Sequence, residues 1–262
     1  MEIEQKANNW FDETMDLLES RFSNVIISND FEKAVSSSVS LVLTYAKSVF
    51  CVLKEGEKLP AMALLRSLYQ LTSRLTWILI GLDDLDRRDR LERLEKESLK
   101  DELKLQDEIQ DVFKNDKRET TIETLCEYDN ARVKIEQRIN ELGNRGVKGM
   151  PQPLQILKEV FKGVYGQPNE GPDASETIPI AAWTKLHKAV HPDYLILMST
   201  IFTSGDGVLN FNGDIDVDID VLRYECCVCV HRFLKEIYNF YEFDFHKIDN
   251  EFLELGQMIV NK

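Results

Sequence analysis

Breaks in the chain are scarce. Of 262 residues only 7 are proline and 12 glycine, gathered between positions 143 and 179 and around 205–213. The long stretches between them leave helix as the dominant structure. Basic residues are outnumbered, 32 Lys and Arg against 46 Asp and Glu, for a formal charge of -14. Such a surface repels a long nucleic acid, so double-stranded DNA is not an expected partner, and an RNA segment would need a local basic cleft. Cysteine is limited to 5, an odd number with three packed in CCVC, which argues against a disulfide framework and for a reducing, cytoplasmic setting. Long apolar runs are missing too. The longest candidate, residues 75–82, is far too short for a membrane span, and the opening MEIEQKANNW is charged rather than signal-like.

What is present is amphipathic. Charged residues make up 30% of the chain, with many Glu-to-Lys and Glu-to-Arg spacings of three and four, the surface habit of long helices. Helices are predicted over residues 2–23, then 31 to about 54 after an Asn29-Asp30 cap and before Gly56, then 61–81 behind Pro60. The third is apolar almost all round (ALLRSLYQLTSRLTWILI) and belongs at the centre of a bundle. The small residues of AVSSSVSLVLTYA in the second predict close contact with a neighbouring helix.

Residues 83–113 and 121–142 are charged, with narrow apolar stripes: Leu85, Leu91, Leu94, Leu99, Leu103, Leu105 and Ile109 on one, Ile122, Leu125, Tyr128, Val133, Ile135, Ile139 and Leu142 on the other. Together they predict a projecting antiparallel helical hairpin, either solvated or used as a binding or dimerising arm. Short helices are expected at 154–164 and 180–190, a long core helix over 220–241 and a terminal one over 249–260.

The stretch NGDIDVDIDVLRYE (212–225) resembles a calcium loop, with Asp214, Asp216, Asp218 and Glu225 at ligand spacing. Ile219 occupies the position that needs glycine, so the alternation is read as a strand, GVLNF against DIDVDI, running into a helix capped by Asp218 or Asp220. In CCVCVH the Cys226–Cys229 pair lacks the second pair that a structural zinc requires, and is read as core. His187 and His191 share a helical face, but Lys188 stands where a metalloprotease motif carries Glu. No metal or cofactor is expected.

Arg66, Gln70 and Arg74 recur every fourth residue on the apolar third helix, where a charge needs a partner or a ligand. His191, at a helix end before Pro192, is placed to titrate near neutrality. If the two helices meet, Arg66 could hold a phosphate while His191 moves a proton, the chemistry of metal-free RNA cleavage, with Gln70, Arg74 and His187 as binding residues. The competing arrangement pairs Arg66 and Arg74 with Glu225 or Glu236.

Two resemblances bear on function. AMALLRSLYQLTSRLTWIL (61–79) resembles the core helix of an uncharacterised bacterial helical family, written A-L-x-R-S-L-x-E, which later carries Tyr-x-x-Leu-Ser-x-x-x-His-Pro. The corresponding residues here are Trp183, Leu186, His187, His191 and Pro192, while Gln70 replaces the Glu, Trp183 the Tyr and His187 the Ser. That family resembles the HEPN helical bundles, which implies a dimeric ribonuclease or a partner protein in toxin–antitoxin and phage-defence loci. The Arg-x4–6-His signature of HEPN nucleases is not found, since Arg223 and His231 stand one residue too far apart. Separately, WTKLHKAVHPD after PDASE resembles the His-Pro-Asp loop of J-domain co-chaperones.

The resulting expectation is an all-α bundle of about eight helices, one domain over 1–262, with a projecting hairpin at 83–142 and an irregular or β-hairpin insertion near 203–218. Its expected role is that of a cytoplasmic interaction or regulatory protein of a bacterial defence or stress system, bound to a protein partner or to a second copy. A metal-independent ribonuclease is the alternative, and a co-chaperone the third reading. No membrane contact is expected.

Overall fold

The computed structural model describes residues 2–23, 25–113, 118–161, 202–203, 209–210 and 218–260. These residues form an all-α, multi-helix bundle. The helices are α1 (Glu2–Phe22), α2 (Asp30–Lys54), α3 (Lys58–Leu79), α4 (Asp84–Phe113), α5 (Glu119–Asn144), α6 (Pro153–Phe161), α7 (Ile219–Phe240) and α8 (His246–Val260). The chain divides into two compact units, Met1–Ile80 with Pro153–Lys262, and Gly81–Gln152.

In the first unit α3 is central, packing on α2, α7 and α6, while α1 and α8 pack on each other and on α7. Its apolar character therefore has a use: Leu65 and Leu68 are fully buried, and Tyr69 and Trp77 nearly so. The small residues of α2 do permit close approach, since Cys226 Sγ of α7 lies 3.9 Å from the Ala46 carbonyl oxygen. On the opposite side of α2, Ser37, Ser40, Leu41, Thr44 and Cys51 are exposed. There Thr44 and Ser48 return their hydroxyls to the carbonyls of Ser40 and Thr44, at 2.8 and 2.9 Å. By length and composition α2 could cross a membrane. The search for unbroken apolar runs missed it because its serines and threonines break the runs yet cost little hydropathy.

Helix ends follow local chemistry. Asn29 accepts the Glu32 amide at 2.9 Å while Glu32 reaches back to the Ser28 amide and hydroxyl, so both orphan ends of the turn are bonded. Asp218 caps α7 by accepting the Asp220 amide at 2.9 Å. Three helices end in the same reverse turn, with the amide two positions past the cap bonded to the carbonyl five residues back. Two of them use glycine in the left-handed region, Gly56 (φ 80°) and Gly146 (φ 78°), and the third uses Glu242 (φ 56°). At that third end the Phe243 amide bonds the Tyr238 carbonyl at 2.8 Å and the two rings meet edge to face. Glu242→Gly is expected to raise stability by up to about 1 kcal/mol, read as a higher urea midpoint with an unchanged slope. A lower midpoint would mean that the Glu242 side chain supplies something glycine cannot.

The acidic alternation is not a strand throughout: Ile219 and Asp220 already belong to α7. Among the described residues a short antiparallel ladder pairs β1 (Phe202–Thr203) with β2 (Leu209–Asn210), Phe202 opposite Asn210, while most of DIDVDI, the strand expected to face GVLNF, lies outside the described residues. Asp214 and Asp216, and the helix expected at 180–190, lie outside the described residues.

The second unit is the α4–α5 hairpin. Asp83 opens α4 by accepting the Asp86 amide, and Asp86 in turn accepts the Leu82 amide. Its seam is held largely by charge. Arg138 grips both carboxylate oxygens of Glu95 at 2.7 and 3.0 Å, Arg145 meets Glu92 at 2.6 Å, and Arg132 pairs with Asp107. Gln110 donates to Asp129 at 2.7 Å. Leu142 and Val147 are buried together with a polar residue, Gln106. The expected stripes were too broad: Leu85, Leu105 and Val133 point to solvent, at 77%, 50% and 54% exposure. An antiparallel helix pair covers only a narrow seam, and residues a third of a turn away fall outside it.

Candidate functional site

Arg66, Gln70 and Arg74 do line one edge of α3, each half-buried. What faces that edge is α6, an element more than seventy residues along the chain. Gln70, Ser73 and Arg74 meet Pro153, Ile156 and Leu157 around a recess of about 10 Å³. That recess has room for roughly one water molecule. α6 is pinned on both sides, Trp77 Nε1 donating to Glu159 at 2.9 Å and Arg232 Nε to the Val160 carbonyl at 3.1 Å.

Two acids of α7 lie near this region of the bundle. Glu225 accepts the Tyr69 hydroxyl at 2.8 Å, and Glu236 pairs with Arg232. Sequence reading missed Tyr69. The signal was Glu225 itself, a carboxylate on an otherwise apolar helix face, which requires a donor from the neighbouring element. His187 and His191 lie outside the described residues.

Two further buried polar side chains are tied into helix contacts. Arg223 bonds Glu4 at 2.9 Å and Asp220 at 3.0 Å, joining α7 to α1. His231 Nε2 lies 2.8 Å from Asp249 of α8, and its ring stacks on Phe252 with centroids 3.9 Å apart. Burial pushes the imidazole down to about 4, and Asp249 offsets only part of that. Arg223 and His231, the nearest approach to a HEPN nuclease signature, thus serve two separate helix contacts. Cys226, Cys227 and Cys229 are buried, and burial holds all three thiols above their ordinary value, protonated and unreactive. Among the described residues no group of three or more His, Cys, Asp or Glu could hold a metal ion.

No match. Comparison with known protein families, with characterised proteins and with solved structures finds nothing similar to this chain. Functional argument therefore rests on surfaces, and the most unusual belongs to the hairpin. On α5, Cys126, Asn130, Val133, Gln137 and Asn140 fall at alternating spacings of four and three, all exposed and none charged. Opposite them on the wheel are Tyr128, Ile135, Ile139 and Leu142, which face the hairpin seam. A helix so rich in charge elsewhere, with one uncharged outer stripe, has the pattern of a helix that packs on something on both sides.

Proposed function

We propose that this chain is an interaction or regulatory protein acting inside the cell, of the HEPN-like kind found in bacterial defence and toxin–antitoxin systems. The observation that supports the reading is the uncharged outer stripe of α5, on a hairpin whose α4 also exposes Leu105 and Val112. Such a surface serves a protein partner, or a second copy, better than it serves chemistry. The contacts of His231 and Arg223 point the same way, because each spends its polar atoms on holding helices together.

The test is a photo-crosslinking amino acid placed at Val133 and, separately, at Leu105, in cells that carry the protein natively. Discrete protein adducts are expected from both positions, and none from the same group at the exposed Lys235 of α7. The absence of adducts would overturn the reading. Cleavage of labelled RNA that persists in EDTA and disappears in Arg66→Ala/His191→Ala would replace it with the ribonuclease alternative.

A further inference from the structure

The loop between α1 and α2 carries two isoleucines in water, Ile26 at 88% and Ile27 at 49% exposure. The loop is clamped at both ends by aromatic rings of one turn. Phe22, before it, meets Tyr241 at 5.4 Å and Phe243 at 5.9 Å, and Phe31, after it, meets Phe240 at 5.6 Å. The Tyr241 hydroxyl adds a 3.0 Å contact with Ser36 on α2. Between the clamps the backbone is bonded as well: the Val25 amide to the Phe22 carbonyl at 3.1 Å, and the Ser28 amide to Glu32 at 2.7 Å. The exposed isoleucines are therefore carried on a built frame, whose rings Phe22, Phe240, Tyr241 and Phe243 are themselves only half-buried.

The rim of this apolar patch is acidic. Next in the chain to its rings and loop, Glu19, Asp30, Glu242 and Asp244 are exposed, against Arg21, Lys33 and Lys247, the last paired with Glu13. A second copy would bring its own acidic rim to the contact, on a chain already at -14, and anionic lipid or RNA would meet the same repulsion. We infer that the Ile26–Ile27 loop and the turn after α7 dock a basic segment of a partner protein, anchored by apolar side chains on the isoleucines and by lysine or arginine on the rim. The inference rests on the reading of this chain as a binding protein, but uses a surface of the first unit rather than the hairpin.

The probe is a fluorescent amphipathic Lys/Leu peptide titrated into the full chain by anisotropy, with a Glu/Leu peptide of the same length as control. The Lys/Leu peptide is expected to bind and the Glu/Leu peptide to stay free. Ile26→Ser/Ile27→Ser, which alters two exposed side chains and no charge, should weaken binding by about tenfold or more. Glu242→Lys/Asp244→Lys should weaken it too and reduce its salt dependence. Leu82→Ser/Leu85→Ser, an equally exposed pair between aspartates at the start of α4, should leave it unchanged. Unchanged binding in the isoleucine variant, a loss only in the leucine variant, or equal binding of both peptides would overturn the inference. So would a wild-type dimer that the isoleucine variant dissolves. Failure of the crosslinks at Val133 and Leu105 would overturn the reading built on the hairpin, and is told apart from failure here because the peptide probes the first unit directly.

Discussion

Trp10→Ala is expected to destabilise the first unit by about 4 kcal/mol, enough to lower its melting temperature by roughly 10 °C. Trp10 is 1% exposed and holds α1 against α8 in two ways. Its ring packs on Phe252 at 5.8 Å, and its Nε1 donates to the Ile248 carbonyl at 3.2 Å. Alanine leaves a cavity the size of an indole between two helices that the surrounding structure already fixes, and removes a buried carbonyl's donor at the same time. Trp10→Phe separates the contributions: it keeps most of the packing and should cost about 1–2 kcal/mol. Urea unfolding followed by circular dichroism measures both. A Trp10→Ala loss below about 1 kcal/mol would mean that the α1–α8 contact contributes little to the cooperative unit.

Lowering the pH should unfold the protein early through His231. The buried ring has a folded value of about 4 against an ordinary value of 6.5. Between those values the unfolded chain binds the proton and the folded one does not, so acid favours unfolding. The contribution of the neutral ring is whole above about pH 6.5 and falls as pH drops toward 4. Its ceiling is about 3 kcal/mol, with about 2 kcal/mol gone by pH 5. Asp249 faces the ring and works against the shift, while Arg232 and Lys235 on the same helix add to it. His231→Gln keeps a donor for Asp249 but cannot titrate. The difference in stability between wild type and variant should therefore widen in the variant's favour from about pH 7.5 to about pH 5. A difference that does not change with pH would show that Asp249 compensates fully for burial. Taking the difference removes the background of the chain's many carboxylates, which both proteins share.

The bundle was legible where the signal is local. Asn29, Asp218 and Gly56 mark helix boundaries through bonds to their own neighbours, and the apolar girth of α3 announces its central place. Legibility fell where the answer depended on a distant element. Nothing near Gln70 and Arg74 foretells that α6 covers them, and nothing near His231 foretells Asp249 and Phe252 across the next turn. The end of α7 was legible to within a residue, but not its device, in which Phe243 packs on Tyr238 and a glutamate takes the left-handed position that is normally glycine's. In the DIDVDID alternation the start of a helix was legible, although a period of two does not itself mark it. Asp218, one of its own carboxylates, begins it.

The charged seam of the hairpin has a consequence for how the chain as a whole responds to its surroundings. Ionic strength acts directly on Arg138–Glu95, Arg145–Glu92 and Arg132–Asp107, all at least partly open to solvent. It acts far less on the packing of α3 among α2, α6 and α7, whose strength comes from apolar burial and follows temperature instead. One polypeptide thus carries two stabilities with separate controls, and salt can loosen the surface-bearing hairpin while the bundle stays as it was.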